Sequence, residues 1–339
     1  MKASQRSALL LGEICALGVA LGGLVYFGFE HDLESATARV SAGSQLAETP
    51  CGPIEHAVIG NGPAVLVVHG AGGGFDQGIG FGRALAEHGF RVIAMSRFGY
   101  LRTPLPPDAS PAAQADAHAC LLDALHVQRA AIIGASAGAP SSMQFALRHP
   151  QRTLGLVLMV PAAYVPRDGT EPPMVTPPGT RFLFDTALRS DFLLWAAIRL
   201  DRESVIASVL ATPPSVVASA SPEEQSRVKE VLTGLLPIRP RLRGLINDAA
   251  VTSTLPRYEL ERITAPTLVM SSMDDSFGTY AIASYTSGSI EGARFIGFPT
   301  GGHLWVGHQQ EVEAEILTFL AAAAKLTAGA ASAEPTAPR

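Results

Sequence analysis

The sequence predicts an α/β protein in which a mostly parallel β-sheet carries helices on both of its faces. Short apolar segments alternate with amphipathic stretches of helical length, which is the rhythm of repeated βαβ units. The apolar segments are continuous, as expected of strands that are buried on both faces. The rhythm stops at Pro161 and resumes near residue 263, so a separate block is inserted between strands of the sheet.

The predicted elements follow one another in the order that such a sheet requires. Strands are expected at 64–69, 91–96, 130–135, 154–160, 267–273 and 293–298. Helices are expected at 80–88, 110–126, 137–149 and 309–326. Ser110-Pro111 favours a helix start, because serine caps an N-terminus and proline suits the first turn.

These elements divide the chain into segments of different character. The two parts of the sheet core are 53–161 and 263–326. The block 162–262 contains many Pro and Arg residues and predicts a helical cap over the core, with its best helices at 182–200 and 223–236. Residues 30–52 are polar and aperiodic and predict a linker, and residues 327–339 have too little apolar surface to fold and predict a disordered tail.

Residues 1–29 predict an N-terminal transmembrane helix or uncleaved signal anchor. Residues 8–29 are apolar apart from Glu13, and as a helix they would be about 33 Å long, enough to cross a hydrocarbon core. Lys2 and Arg6 precede the run and acidic residues follow it, which predicts that the remaining domains lie on the extracytoplasmic side. The alternative is secretion after signal cleavage, for which residues 36–38 (Ala-Thr-Ala) are an acceptable site.

Composition excludes several classes of protein. The net charge is −5, with 25 basic and 30 acidic residues, and no basic stripe that would bind nucleic acid is present. The three cysteines, Cys15, Cys51 and Cys120, are too few for a disulfide scaffold or a four-ligand zinc site. In an exported protein Cys51 and Cys120 can oxidise, but their spacing does not indicate that they pair. No metal or organic cofactor is expected.

Ser136 is the strongest candidate for a functional residue. It lies in Gly134-Ala135-Ser136-Ala137-Gly138, between a predicted strand and a predicted helix. Small neighbours allow a tight turn that exposes the serine hydroxyl, and the helix N-terminus provides a positive dipole where an oxyanion would form. Because the motif lies between a strand and a helix, it indicates a nucleophilic serine and not merely a turn of small residues.

A serine nucleophile needs a base, and His303 is the best placed of the nine histidines. It follows Gly301-Gly302 after the last predicted strand, at the carboxyl edge of the sheet where Ser136 also lies. His308 is the second choice, because it begins the last helix and no Gly-Gly pair precedes it. The base needs an orienting carboxylate, and both Asp274 and Asp275 follow the preceding strand at the same edge.

The glycine-rich stretch 69–74 (HGAGGG) follows the first core strand. In a serine-nucleophile site, the backbone N–H of Ala71 would join that of Ala137 in an oxyanion hole. A phosphate-binding loop fits poorly, because the Gly-Lys-Ser/Thr ending is missing. A dinucleotide fingerprint fits no better, since Phe75 occupies the place of its last glycine.

Together, HGAGGG, SRFGY at 96–100, GASAG at 134–138, MDDSFG at 273–278 and GGH at 301–303 resemble the α/β-hydrolase superfamily. The resemblance is closest to capped esterases, haloperoxidase-like enzymes and carbon–carbon hydrolases, and covers about residues 53–326 without the cap. It implies an α/β-hydrolase fold with Ser136 as nucleophile, His303 as base and Asp275 as the acid. Ser271-Ser272 replaces the family's His-Gly-like pair before the acid, so Asp274 stays an alternative.

The resemblance implies a serine hydrolase that cleaves a carboxylic ester or similar acyl bond through an acyl-enzyme. The expected partners are a small-molecule acyl substrate and the membrane. Acyl transfer, cofactor-free perhydrolysis and C–C bond hydrolysis are alternatives on the same residues. A membrane-tethered binding protein without activity is a further alternative, against which the presence of Ser136, Asp275 and His303 weighs.

Overall fold

The computed structural model describes residues 3–166 and 186–331, with side chains for 12–166 and 186–325. Eight strands form one sheet in the order β1-β2-β4-β3-β5-β6-β7-β8. β2 pairs antiparallel with β1 and with β4, and all other neighbours are parallel. The strands are β1 Gln45–Ala47, β2 Ile54–Ile59, β3 Ala64–Val68, β4 Arg91–Met95, β5 Ala130–Ala135, β6 Thr153–Met159, β7 Thr267–Ser272 and β8 Arg294–Phe298.

The described helices cover both faces of this sheet and form the block between β6 and β7. They are α1 Ala3–Ser41, α2 Phe75–Glu87, α3 Pro111–Ala124, α4 Ala139–Arg148, α5 Asp191–Leu200, α6 Arg202–Val209, α7 Pro214–Ser219, α8 Pro222–Gly234, α9 Leu242–Ser253, α10 Thr279–Gly288 and α11 Gln309–Ala331. Residues of α3, α4 and α10 pack on one face, and residues of α2 and α11 on the other. The predicted mostly parallel sheet with helices on both faces is confirmed.

The helices α5 to α9 form a cap with its own apolar core. Leu194 and Ile198 of α5 pack with Leu232 of α8 in a cluster separate from the two faces of the sheet. Ser190 begins α5 by accepting a hydrogen bond from the Leu193 N–H. The predicted helix 182–200 is therefore present from Asp191 onward. Residues 186–190 precede it as a turn and a short 3-10 segment, because Ser190 caps the helix start, and residues 182–185 lie outside the described residues.

The N-terminal region differs from the prediction of a linker at 30–52. α1 continues 12 residues past the apolar run to Ser41, and Gly43 ends it with a left-handed backbone (φ 80°). Val40 and Phe29 are buried, and Ala36 packs into the cap cluster. This tertiary contact stabilises a helix that the polar sequence did not indicate. β1 then joins the sheet edge within the same predicted linker.

The two ends of the chain carry further findings. α11 continues to Ala331, so the first five residues of the predicted disordered tail are helical, and 332–339 lie outside the described residues. α1 is long and apolar enough to cross a membrane between Gly12 and Ser41, a property that signal sequences share. Cys51 and Cys120 form a disulfide that ties the segment before β2 to α3.

Candidate active site

Ser136 lies on a strained turn between β5 and α4. Its backbone is left-handed (φ 49°), and a short 3-10 turn over Ser136–Gly138 leads into α4. A Cβ on Gly134 would lie 2.4 Å from the Ser142 hydroxyl, and one on Gly138 would lie 2.4 Å from the Val68 carbonyl. Both glycines are therefore required by close packing, and the turn lifts the Ser136 side chain to the carboxyl edge of the sheet.

His303 links Ser136 to a carboxylate. Its Nε2 lies 2.9 Å from the Ser136 Oγ, and its Nδ1 lies 2.7 Å from Oδ2 of Asp275. With Nδ1–H donating to Asp275, Nε2 is free to accept the serine proton. The three residues that the sequence singled out thus lie in one hydrogen-bonded chain. His308 is elsewhere: its ring stacks on Phe298 at 4.4 Å.

The two neighbouring carboxylates have different partners. Asp275 is buried, and its Oδ1 accepts the Phe277 N–H at 2.8 Å. Asp274 instead accepts the N–H groups of Gly301 (3.2 Å) and Gly302 (2.7 Å). Asp275 therefore orients the imidazole directly, whereas Asp274 holds the glycine turn that precedes it.

Thr279 is a neighbour of the site that sequence reasoning missed. Its hydroxyl donates to Oδ2 of Asp275, the same oxygen that faces His303, and lies 2.8 Å from the Ser271 hydroxyl. Ser271 replaces the first residue of the His-Gly-like pair that the resemblance implies, and its hydroxyl has Thr279 as a hydrogen-bond partner. The sequence offers one indication of this contact: Thr279 follows Asp275 by four residues and begins α10.

The glycine-rich loop after β3 brings Ala71 beside Ser136. The flanking N–H of Gly70 donates to Gln77 (2.9 Å) and that of Gly72 to the Tyr100 hydroxyl (3.3 Å). Ala71 lines the same cavity as Ser136, and within the described part of the chain its N–H has no acceptor. Ala137 follows Ser136 at the start of the 3-10 turn. Of the two predicted donors, Ala71 thus shares the cavity lining with the serine and Ala137 follows the serine in the chain.

Arg97 ties this loop to the cap. Its guanidinium binds both carboxylate oxygens of Asp248 from α9, at 2.7 and 2.6 Å, and its Nε donates to the His69 carbonyl (2.8 Å). The Tyr100 hydroxyl donates to the same carboxylate at 2.5 Å. Burial, with the charge of Asp248, raises the pKa of Tyr100, so the phenol stays a donor. Arg97 therefore joins the glycine-rich loop to the cap.

His69 is fully buried beneath the loop and stays neutral. Burial, together with the charge of Arg97, lowers the pKa of His69 well below its usual range. Its Nδ1–H donates to the Gly70 carbonyl at 2.7 Å, and its Nε2 accepts the Arg97 N–H at 2.9 Å. The imidazole therefore fixes the start of the loop and is not available as a base for Ser136.

Arg241 of the cap holds the other end of the loop. Its fully buried guanidinium donates to the Gly73 carbonyl at 2.6 Å and pairs with Asp76 at 2.8 Å. Arg39 of α1 also pairs with Asp76 and donates to the Leu236 carbonyl at 2.5 Å. Burial alone would raise the pKa of Asp76, but the two guanidiniums outweigh it and lower that pKa.

A cavity of about 100 Å³ lies between core and cap with Ser136 and His303 in its wall. Its lining is mainly apolar, and within the described residues it contains no Asp, Glu, Lys or Arg. The core provides Gly70, Ala71, Gly72, Gln77, Phe81, Ala135, Ser136, Val160, Phe277, His303, Leu304 and Trp305, and the cap Leu188, Val209, Leu210, Val231, Leu235, Ile238 and Leu245. Such a cavity fits an uncharged, apolar group next to the serine hydroxyl.

Backbone strain is concentrated around this cavity. Ser136, Val160 and Trp305 line it and have left-handed backbones, with φ of 49°, 43° and 44°. Ala211, with φ 42°, accepts hydrogen bonds from the N–H groups of Ser276 (3.1 Å) and His303 (3.4 Å). Non-glycine residues rarely adopt this conformation, which clusters at functional sites.

The strand order, the serine turn after β5 and the helical cap before β7 define an α/β-hydrolase fold, in which a serine, a histidine and a carboxylate meet at the carboxyl edge. Together with this fold, the match of the alpha/beta hydrolase fold family model to residues 63–213 and the similar proteins described below show that the chain is a member of the α/β-hydrolase superfamily. The protein is accordingly an enzyme of hydrolytic type. Within the described residues no cluster of three metal-ligating side chains occurs.

Three similar proteins illustrate the range of the family. An uncharacterized hydrolase of Bacillus subtilis, YcgS, is 27% identical over 281 residues, covering 78% of this chain and 94% of that protein. A 2-hydroxy-6-oxononadienedioate/2-hydroxy-6-oxononatrienedioate hydrolase of Paraburkholderia xenovorans is 29% identical, covering 76% and 86%. The structure of an alpha/beta hydrolase fold protein from Nakamurella multipartita superimposes with a TM-score of 0.65 at 29% identity, covering 82% and 98%.

Proposed function

We propose that this protein is a serine hydrolase that cleaves a carboxylic ester or similar acyl bond through an acyl-enzyme. The observation that carries the proposal is the chain Asp275–His303–Ser136, whose serine end opens into an apolar cavity. The Ser136–His303 link is short enough for proton transfer, the Asp275–His303 link orients the imidazole, and the serine lies where an acyl carbonyl can reach it.

The mechanism begins with attack of the Ser136 Oγ on the acyl carbonyl carbon. The serine proton moves to Nε2 of His303, and the negative charge of Asp275 stabilises the resulting imidazolium. Nε2 then returns that proton to the leaving alcohol as the C–O bond breaks. Water, deprotonated by the same nitrogen, attacks the acyl-enzyme, and Nε2 then returns this proton to the Ser136 Oγ as the acyl C–O bond breaks and the acid is released.

The N–H groups of Ala71 and Ala137 stabilise the oxyanion that forms at each attack. One donor of this kind contributes roughly 3–4 kcal/mol to the transition state. The unpaired N–H of Ala71 supports this role, because its loop is fixed on one side by Arg97 and on the other by Arg241. A donor that is already oriented needs no reorganisation during the reaction.

C–C bond hydrolysis is a second candidate, because the Paraburkholderia xenovorans relative acts on a dienedioate. A dienedioate carries two carboxylates, and such anions are normally bound by Arg or Lys. The described lining of the cavity provides neither. This difference favours an uncharged ester over a dicarboxylate as the substrate of this chain.

We propose that α1 anchors the enzyme in a membrane with the catalytic domain on the extracytoplasmic side. The Cys51–Cys120 disulfide supports an oxidising compartment. The contacts of α1 with the cap support an uncleaved anchor, because signal cleavage at residues 36–38 would remove Phe29 and Asp32 from their partners on α5.

Active-site labelling of the full chain tests the hydrolase proposal. A fluorophosphonate probe should label wild type and not Ser136→Ala, and p-nitrophenyl esters of increasing acyl length should be turned over with an optimum that the cavity sets. Labelling without ester turnover would favour acyl transfer, perhydrolysis or C–C cleavage. If the probe does not label this protein while a known serine hydrolase reacts in parallel, the remaining hypothesis is a membrane-tethered binding protein without activity.

A further inference from the structure

Helix α5 of the cap is apolar on the side that faces away from the protein. Asp191, Leu194 and Ile198 point into the cap, whereas Phe192 and Leu193 are each 41% exposed. Exposed apolar side chains that are neighbours on one helix mark an interaction surface. Among the described residues α1 covers these outward side chains only in part, so apolar surface at the start of α5 stays exposed.

The start of α5 lies against α1 at the end of its apolar run. The ring of Phe29, the last residue of that run, lies 5.2 Å from the Phe192 ring and 5.7 Å from Trp195. One turn further along α1, Asp32 accepts hydrogen bonds from Trp195 (2.7 Å) and Arg199 (2.5 Å). These contacts fix the start of α5 at the level where α1 changes from apolar to charged.

That level is the surface of the bilayer if α1 spans a membrane. Helices that lie in this interface place Trp, Phe or Leu in the lipid and Lys or Arg beside the headgroups. Phe192, Leu193 and Arg189, called here the α5 patch, have this chemistry, and the Arg189 side chain is exposed. An anionic lipid surface attracts such an arginine.

The α5 patch adjoins the cavity. Leu188, next to Arg189 in the turn that leads into α5, lines the cavity that contains Ser136. At this point of the cap, Leu188 lies on the cavity and the neighbouring Arg189 lies on the outer surface. A ligand that enters from the side of the patch would present an apolar chain to an apolar lining.

We infer that the α5 patch rests on the surface of the bilayer that α1 spans, and that the enzyme takes an ester with an apolar acyl chain from that bilayer. Both parts of this inference rest on the proposed membrane anchor, and the substrate part rests on the proposed hydrolase activity as well. The occupant of the patch is lipid, because the patch continues the lipid-facing surface of α1.

The docking part is tested on the full chain in vesicles of phosphatidylcholine and phosphatidylglycerol. An environment-sensitive fluorophore is attached to Leu193→Cys in a Cys15→Ser background, with Glu291→Cys, exposed after α10, as the control. Emission at position 193 should shift to the blue and be quenched by spin-labelled lipid, while position 291 stays water-like. Water-like, unquenched emission at both positions would overturn the docking.

The substrate part is tested by comparing one lipid ester in vesicles with one soluble short-chain ester. Leu193→Ser should lower kcat/KM about fivefold on the vesicle substrate, because it removes apolar contact with lipid, and leave the soluble ester unchanged. The matched control is Ile246→Ser, which changes an exposed apolar residue on α9. An equal loss on both substrates, or the same loss in the control, contradicts membrane-derived substrate. Failure of wild type on both esters contradicts the proposed function, and the fluorescence result still decides the docking.

Discussion

Two adjacent aspartates at the end of β7 have separate tasks, and the difference is set by single hydrogen bonds. Asp275 meets the imidazole, and Asp274 meets the backbone of the turn that carries it. The sequence located Ser136 and His303 because a constrained turn and a glycine pair mark their positions. It left the carboxylate open between two neighbours, because the direction of a side chain at a strand end depends on contacts with residues distant in sequence.

The first prediction separates these tasks. Asp275→Asn should lower kcat by about 10⁴, because the amide favours the wrong imidazole tautomer and cannot stabilise the imidazolium. Asp274→Asn should lower it far less, since an amide oxygen still accepts the Gly302 N–H. Steady-state kinetics on a soluble ester measure both variants. Equal, small losses would place the acid elsewhere in the chain.

At the scale of elements, two ion pairs between core and cap hold the glycine-rich loop, and each has its arginine on a different side of the interface. Arg97 of the core pairs with Asp248 of the cap, and Arg241 of the cap pairs with Asp76 of the core. Arginine side chains are usually solvated, so a buried arginine is not expected from the sequence. Nothing local marks Arg241 as buried, since its partner lies 165 residues away.

The second prediction concerns this pairing. Arg241→Met should lower the free energy of unfolding by about 3 kcal/mol, because it leaves the carboxylate of Asp76 buried with weaker compensation. Arg39→Gln should cost under about 1 kcal/mol, since the Arg39 side chain is 39% exposed. Urea unfolding of the full chain in detergent compares them. A smaller loss for Arg241→Met than for Arg39→Gln would contradict the burial argument.

Over the whole molecule, the hydrophobic pattern of the sequence predicted the buried strands and missed those at the edge of the sheet. The strands from β3 to β8 were predicted to within a few residues, because buried parallel strands are continuous apolar runs. β1 and β2 were missed, since short antiparallel strands at a sheet edge carry no such run. α1 beyond Phe29 was missed for a related reason: its helical state depends on Ala36 and Val40 packing against distant residues.

The third prediction is a loss of stability below neutral pH. Burial lowers the pKa of His118 to about 3 and that of His69 well below its usual range. The unfolded chain takes up protons near pH 6.5 that the folded protein does not. The free energy of unfolding should therefore fall by somewhat more than ~1 kcal/mol per pH unit for each histidine as pH drops below about 6.5.

Unfolding at pH 7.5, 6.5 and 5.5 measures this slope. His118→Gln should make the slope shallower, whatever its effect on stability at neutral pH, because one buried imidazole no longer resists protonation. Aspartates titrate below this window and contribute little to it. An unchanged slope would mean that His118 takes up a proton equally well in the folded state.

The fourth prediction concerns the disulfide and the compartment. In protein prepared from exported material, maleimide should modify one thiol, Cys15, in the denatured chain, and three after reduction. Reduction should lower the free energy of unfolding by about 4 kcal/mol, because the bridge closes a loop of 69 residues. Three reactive thiols without reduction would contradict an extracytoplasmic catalytic domain.

The left-handed residues around the cavity set a limit on how this enzyme can be improved. Replacing Ser136 by glycine would relieve an unfavourable backbone conformation and remove the nucleophile in the same step. Val160 and Trp305 present the same conflict in a weaker form, because their side chains line the cavity. Laboratory selection for thermal stability alone should therefore favour substitutions at these positions. The variants with the highest melting temperatures should have the lowest catalytic activity.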